Sequence, residues 1–330
     1  MTDLRVLEWV RDPAGVWNLP AEHLAALAGE FPGVRFDDPE TREECDALLP
    51  HADVVLGYGV RPQNFERAGR VRWIHSTAAG VGHLLFPALV ESPIVVTNAR
   101  GLHARSMAEH VLGLMLSFTR RLHVSRDAQA ARTWRQAEIW RAEPGFGELA
   151  GATLGLVGFG RIGEAVAAAA RAFGMRVLAV RRRPAAEAAP ADEQWGLERL
   201  DDLIAVSDWL VLAAPHTPGT DRLMDAARFA RMKPGARLVN ISRGALVDEP
   251  ALIEALRSGR LAGAALDVTA HEPLAPESPL WSMPEVIVTP HLAGVGPRFW
   301  ERVLGQFAAN LRRFRAGEPL ENVVDKRGGY

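Results

Sequence analysis

Cysteine is almost absent from this 330-residue chain, and the single Cys45 cannot close an intrachain disulfide, which fits a reducing compartment. An excess of charge of one sign is missing too. Lys and Arg number 38 against 40 Asp and Glu, a formal net charge of −2, so no broad field draws nucleic acid or an anionic membrane. Every apolar run is broken by Arg, Glu or Gly well before the roughly 18 residues a spanning helix needs. Met1-Thr2-Asp3-Leu4-Arg5 lacks a basic segment followed by an apolar run, so no secretory leader is expected and the cytoplasm is the expected location. Solenoid repeats are absent. No Cys/His set has zinc-ligand spacing; His103, His110 and His123 share a helical stretch without an i, i+4 pair, and no metal is expected. The one low-complexity stretch, residues 184–190, reads as a surface loop.

What is present is an ordinary globular composition, 48% hydrophobic and 24% charged, in a chain long enough for two cores. Short β-branched runs alternate with helical patterns throughout, the mark of βαβ units. The first series predicts strands near Val6-Leu7, Val34-Phe36, Val54-Leu56, Trp73-His75 and Ile94-Val96, with a helix at residues 21–28. A long amphipathic pattern follows over residues 104–134, with Met107, Val111, Leu114, Met115, Phe118 and Leu122 on one stripe, as a core-facing helix requires. The second series predicts strands at Thr153-Val157, Arg176-Val180, Trp209-Leu212, Arg237-Asn240, Gly263-Leu266 and Val286-Val288. Its helices fall near residues 161–173, 221–231 and 248–257, and a last helix over 297–316 returns to the first series. The expected fold is α/β: two Rossmann-like domains with parallel sheets, one (101–294) inserted into the other (1–100 plus 295–330).

Leu154-Gly155-Leu156-Val157 runs straight into Gly158-Phe159-Gly160-Arg161-Ile162-Gly163 and an Ala-rich helix. In that context the first glycine permits a tight turn, the second lets the backbone approach a pyrophosphate, and the third lets helix and strand pack closely. The helix N-terminus, with Arg161 and Ile162, offers free N–H groups to the phosphates. The next strand ends in Arg181-Arg182-Arg183, where an NAD-preferring fold places a carboxylate for the ribose 2′-hydroxyl. A guanidinium there suits a 2′-phosphate, which favours NADP, with NAD possible. The plain alternative is a solvated basic loop.

Three more segments stand at strand ends: Asn240-Ile241-Ser242-Arg243-Gly244, Asp267-Val268-Thr269-Ala270-His271-Glu272-Pro273 and Thr289-Pro290-His291. Reduction of a keto acid needs a cation to grip the carboxylate and polarise the carbonyl, and a proton donor for the nascent alkoxide. Arg243 suits the first role. His291 suits the second if a carboxylate such as Glu272 keeps it charged.

Together with Ala214-Pro215-His216-Thr217-Pro218-Gly219-Thr220 and Met232-Lys233-Pro234-Gly235-Ala236, these segments, in this order, resemble the D-isomer-specific 2-hydroxyacid dehydrogenase family over essentially the whole chain. The resemblance implies that Arg243 binds and polarises the substrate, Glu272 orients and charges the imidazole, and His291 is the general acid/base. It implies further that Asp267 holds the nicotinamide carboxamide and that Thr217, Ile241 and Ser242 line the cofactor, beside His291. Ala78 to Leu84 resembles the family's substrate loop, with Ala79 and Gly80 where backbone N–H groups take the carboxylate; Gly82 stands where the family more often has Asp. The outer domain is then a flavodoxin-like substrate domain and the inserted one binds the dinucleotide. A carboxylate rather than an amide at Glu272 argues against formate-dehydrogenase-like chemistry. The implied activity is an NADPH-preferring reduction of a small 2-oxo acid of the glyoxylate/hydroxypyruvate sort, by a homodimer with no nucleic-acid or membrane partner. The alternative is a dinucleotide-sensing binding protein like the family's transcriptional corepressors.

Overall fold

The computed structural model describes residues 4–12, 15–143, 145–185 and 189–329; the start at Met1-Thr2-Asp3 and residues 186–188 of the low-complexity loop lie outside them. The chain forms two compact units, Met1–Leu102 with Pro297–Tyr330, and His103–Gly296.

The first unit contains β1 (Leu4–Trp9), α1 (Ala21–Glu30), β2 (Val34–Asp37), α2 (Arg42–Leu48), β3 (Val54–Gly57), β4 (Trp73–Ser76), α3 (Pro87–Glu91) and β5 (Val95–Asn98). Its parallel sheet runs β2-β1-β3-β4-β5, the flavodoxin-like order. Strand alternation sends Leu7, Val55 and Ile74 to one core and Val6, Val54, Leu56 and Trp73 to the other. The second core is closed by the C-terminal helix Phe299–Ala316, whose Leu304, Phe307 and Leu311 are buried there. Phe307 stacks on Trp73 with ring centroids 5.0 Å apart. The tail then fastens to α3 and the segment between α3 and β5: Lys326 Nζ donates to the carbonyls of Leu89, Ser92 and Ile94 at 2.6–3.1 Å.

The second unit begins with α4 (Ala104–Thr119), α5 (Leu122–Ala130) and α6 (Gln136–Arg141). There follow β6 (Thr153–Val157), α7 (Arg161–Ala172), β7 (Arg176–Val180), β8 (Glu193–Trp195), α8 (Leu200–Val206), β9 (Trp209–Leu212), α9 (Ala226–Arg231), β10 (Ala236–Asn240), α10 (Glu249–Arg257), β11 (Leu261–Leu266) and β12 (Val286–Val288). All seven strands are parallel in the order β12-β11-β10-β9-β6-β7-β8, so the order reverses beside β6, as in a dinucleotide-binding sheet. Trp209 and Val211 face the core shared with α4 and α7, while Leu210 and Leu212 face the core under α8, α9 and α10. Ala108, Ala167 and Ala170 keep the α4 and α7 side of the sheet close-packed.

Three expectations need correction. The pattern over residues 104–134 is not one helix: it breaks at Arg121, which is left-handed (φ 57), and His123 Nδ1 lies 2.9 Å from the Ser117 carbonyl that the end of α4 leaves unpaired. Leu122, placed on the buried stripe, is 51% exposed. The helix expected over 221–231 starts only at Ala226, capped by Asp225, whose side chain accepts from the Arg228 N–H. Strand β8 was not foreseen, because three residues at a sheet edge carry no alternation to detect.

Candidate active site

The parallel sheet of the second unit delivers every strand's carboxyl end to one edge, and the sequence candidates of that unit lie along it. After β6 the chain turns through Gly158, where φ is +97 and a Cβ would lie 2.6 Å from the Ala214 nitrogen. Only glycine fits. At Gly163 a Cβ would meet the Gly158 oxygen at 2.6 Å, so the third glycine brings α7 down onto the turn. Gly160 differs: its φ is −102 and a Cβ would meet nothing within 4 Å. Open space before a helix N-terminus is what a bound pyrophosphate needs, and the cradle therefore fits a dinucleotide. Ile162 packs into the core, whereas Arg161 is exposed and pairs with Glu164 at 3.7 Å. Arg181, Arg182 and Arg183 follow β7, and none of the described residues directly after that strand, 181–185, is acidic. Thr217 follows β9 in a turn closed by its N–H donating to Thr220 Oγ1 at 2.8 Å.

The next two loops are held by buried groups. Asn240, fully buried, accepts from Ser242 N–H at 3.1 Å and donates to the Arg243 carbonyl at 3.0 Å. Ser242 Oγ donates to the Ala214 carbonyl, beside the glycine turn. Ile241 is buried. A Cβ on Gly244 would fall 1.9 Å from the Thr269 oxygen, so this glycine lets the Arg243 loop press against the loop that carries Glu272.

Glu272 Oε2 lies 2.7 Å from His291 Nδ1, with side chains 39% and 47% exposed. Partial burial of Glu272 favours its neutral form. The hydrogen bond with His291, the charge of His291, the Thr269 N–H and the charge of Arg243 outweigh that, and hold the carboxyl below its ordinary range. The structure thus brings Arg243, Glu272 and His291 together. His291 has a left-handed backbone (φ 55), and its N–H is shared between the carbonyls of Asp267 and Thr289 at 2.9 Å each.

Asp267 makes a set of contacts that the sequence did not suggest. It is 2% exposed, and its carboxylate accepts from Thr289 Oγ1 at 2.5 Å and from the N–H groups of Leu292 and Ala293 at 2.9 Å. His110 of α4 sits 3.0 Å from Thr289 Oγ1 and 3.5 Å from Asp267. This set fastens the loop bearing His291. Sequence reasoning placed Thr289 in the Thr289-Pro290-His291 segment and weighed His110 only as a metal ligand, and it assigned neither to this set, since a lone histidine on a helix carries no signal.

In the first unit Ala79 and Gly80 follow β4. The Ala78 carbonyl accepts from Ala99 N–H at 3.1 Å and the Ala79 carbonyl from Asn98 Nδ2 at 2.7 Å. The N–H groups of Ala79 and Gly80 donate to nothing among the described residues, as suits a carboxylate cradle.

A dinucleotide-binding sheet with Arg243, Glu272 and His291 along its carboxyl edge defines the class. The family model for "D-isomer specific 2-hydroxyacid dehydrogenase, NAD binding domain" matches residues 112–293. D-3-phosphoglycerate dehydrogenase of Mycobacterium leprae is 35% identical over 315 residues, 94% of this chain; this chain spans only 58% of that relative's length. Glyoxylate reductase of Pyrococcus furiosus is 35% identical over 87% of this chain and 84% of its own. Among solved structures, an NADPH-dependent glyoxylate/hydroxypyruvate reductase from Sinorhizobium meliloti, in complex with NADP and sulfate, superposes with a TM-score of 0.83 at 30% identity, covering 99% of this chain and 100% of that one. The chain belongs to the D-isomer specific 2-hydroxyacid dehydrogenase family. No helix among the described residues is long and apolar enough to cross a membrane.

Proposed function

We propose that this chain is a cytoplasmic 2-oxo acid reductase, yielding D-2-hydroxy acids from small substrates of the glyoxylate/hydroxypyruvate sort and preferring NADPH. The observation that carries the reading is the 2.7 Å Glu272–His291 pair beside Arg243, on the same sheet edge as the glycine turn. Residues 101–294 act as the dinucleotide domain and residues 1–100 with 295–330 as the substrate domain. Gly158, Gly160 and Gly163, with Arg161 and Ile162, would hold the pyrophosphate of a nicotinamide dinucleotide lined by Thr217, Ile241 and Ser242, and its nicotinamide would supply the hydride.

Ala79 and Gly80 N–H groups bind the substrate carboxylate. Arg243 grips that carboxylate and polarises the ketone, stabilising negative charge as it develops on oxygen. His291, protonated and oriented by Glu272, delivers the proton to that oxygen. Asp267 fixes the His291 loop and would hold the carboxamide of a bound nicotinamide. Arg181 and Arg182 favour the 2′-phosphate by charge-assisted hydrogen bonding. Relatives bearing both glyoxylate reductase and phosphoglycerate dehydrogenase names support the reaction class.

The acting form is a homodimer. Trp134 and Trp140, 90% and 74% exposed, give the region after α5 an apolar surface that suits burial against a second copy. The test is NADH and NADPH oxidation across a panel of 2-oxo acids. No oxidation with any of them, alongside tight dinucleotide binding, refutes catalysis and leaves a dinucleotide sensor.

A further inference from the structure

The carboxylate cradle proposed above consists of two backbone N–H groups, and such a group points only where its peptide plane points. Each peptide is planar and, when trans, sends its carbonyl and its N–H in opposite directions. Neither the Ala78–Ala79 nor the Ala79–Gly80 bond is cis. Gly80 N–H therefore points away from whatever holds the Ala79 carbonyl, and Ala79 N–H away from whatever holds the Ala78 carbonyl. The two holders stand side by side at the end of β5. Asn98 Nδ2 donates to the Ala79 carbonyl at 2.7 Å, and Ala99 N–H donates to the Ala78 carbonyl at 3.1 Å. Two consecutive N–H groups are thereby turned away from β5, where neither meets an acceptor among the described residues. Successive N–H groups turned to one side form a concavity for an anion.

The two peptide planes are not equally secure. Ala78 is held by backbone and by β4, since Ser76 Oγ stands 3.2 Å from both its N–H and its carbonyl. The Ala79–Gly80 plane is gripped by the side chain of Asn98, and the glycine that follows gives it freedom to turn over. Asn98 is 1% exposed and in register with Ser76 of β4. Its Oδ1 accepts from Arg100 N–H at 3.4 Å, which leaves the amide N–H groups facing the loop. Its backbone is secured without the amide. Asn98 N–H donates to the Asn322 carbonyl at 3.2 Å, and Val324 N–H donates to the Val96 carbonyl at 2.8 Å, so the C-terminal segment braces the end of β5. Removing the Asn98 amide thus releases one peptide plane and leaves the strand in place.

We infer that Asn98 is a positioning residue: by gripping the Ala79 carbonyl it aims the Gly80 N–H at the carboxylate of the 2-oxo acid. The inference rests on the reading of Ala79 and Gly80 given above and adds the side chain that aims them. The cradle meets the same carboxylate in the ground state and the transition state, so lost aim weakens substrate binding and spares the chemical step.

The test measures kcat, KM for the 2-oxo acid reduced best, and the Kd of NADPH in the wild type, in Asn98→Leu and in Asn64→Leu. Asn64 is the control, an asparagine of the same unit, 4% exposed, whose amide donates to Asp46 at 2.7 Å and to the Gly59 carbonyl at 2.9 Å. Asn98→Leu should raise KM by about tenfold or more, the worth of one hydrogen bond to a charged acceptor, with kcat changed far less and NADPH affinity unchanged. Asn64→Leu should lower the melting temperature and leave KM as it is. An unchanged KM in Asn98→Leu, or the same rise in both variants, overturns the inference while the reductase reading stands. If Asn98→Leu does not fold, Asn98→Ala, which removes the amide without adding bulk, is read in the same way. If the wild type consumes no 2-oxo acid, the reductase reading fails, and calorimetric titration with oxamate in the presence of NADPH decides the role of Asn98. Oxamate binding weakened in Asn98→Leu alone upholds it. Equal binding by all three proteins, or binding by none, overturns it.

Discussion

Replacing Glu272 by Gln removes one charge and keeps the side chain's shape, so it isolates what the carboxylate does to His291. Two unit charges about 4 Å apart interact by about 1 kcal/mol in bulk water and about 4 kcal/mol near a protein surface. The pair here is closer, 2.7 Å, but its side chains are 39% and 47% exposed, so water screens much of the attraction. About 1–1.5 kcal/mol survives, which is roughly one pH unit. The sign follows from the chemistry. Ionised Glu272 favours the imidazolium, and reduction needs that proton; without the charge the proton leaves at lower pH. The high-pH limb of reductive kcat/KM should therefore move down by about one unit in Glu272→Gln. The oxidative limb, which needs the neutral imidazole, should move down by the same step. In the wild type the pair persists into acid, because the Glu272 carboxyl is held below its ordinary 4.5 and stays ionised as pH falls toward that value. Steady-state rates in both directions over a pH series give the answer. A lower plateau with unmoved midpoints in both directions would refute the reasoning and make Glu272 a purely spatial support.

Four further outcomes are expected. Arg181→Asp with Arg182→Ala should cut the kcat/KM preference for NADPH over NADH by about tenfold to a hundredfold, from a contact worth about 1.5–3 kcal/mol; a wild type that prefers NADH refutes the assignment. Arg243→Ala should abolish most turnover, and Arg243→Lys should restore only part, because an ammonium lacks the bidentate fork; near-wild-type kcat/KM in the Ala variant removes Arg243 from the chemistry. Gly158→Ala should lower the melting temperature, because its Cβ meets the Ala214 nitrogen at 2.6 Å, while Gly160→Val should fold normally and lose dinucleotide affinity in a fluorescence titration; equal melting temperatures for the two would contradict the cradle. Lys326→Met should destabilise the fold by about 1.5–3 kcal/mol in urea, since it leaves three carbonyls at 2.6–3.1 Å without their charged donor; an unchanged midpoint would show that water replaces the ammonium at no loss.

The strands were legible because a parallel sheet covered on both faces reads as near-continuous apolar runs, and Leu154 to Val157 or Trp209 to Leu212 can be little else. Their carboxyl ends were legible for the same reason, which is why Arg243, Glu272 and His291 could be placed on one edge before any coordinates. What stayed hidden depends on single residues or on partners far apart in sequence. One left-handed residue, Arg121, and one capping ring, His123, split the helix expected over residues 104–134, and hydrophobic periodicity is blind to both. His110 and Thr289 are separated by 179 positions, and the Thr-Pro-His segment gives no sign that its threonine meets a helix so far away in sequence. The same blindness hid a cavity where β1 and β3 end, because its Arg11, Arg42 and Arg61 come from three separate stretches of sequence and look like scattered surface charge.

The His291 backbone shows why this division matters. A non-glycine residue at φ 55 is uncommon, and it persists only where the surroundings fix it. Here the fixing groups are the Asp267 carbonyl and carboxylate, which follow β11, gripping the loop that follows the neighbouring strand β12. Register between those two strands, set by Ala264, Ala265 and Leu266 against Val286, Ile287 and Val288, therefore decides where the imidazole points. A motif can name the proton donor, but its aim is a property of the sheet.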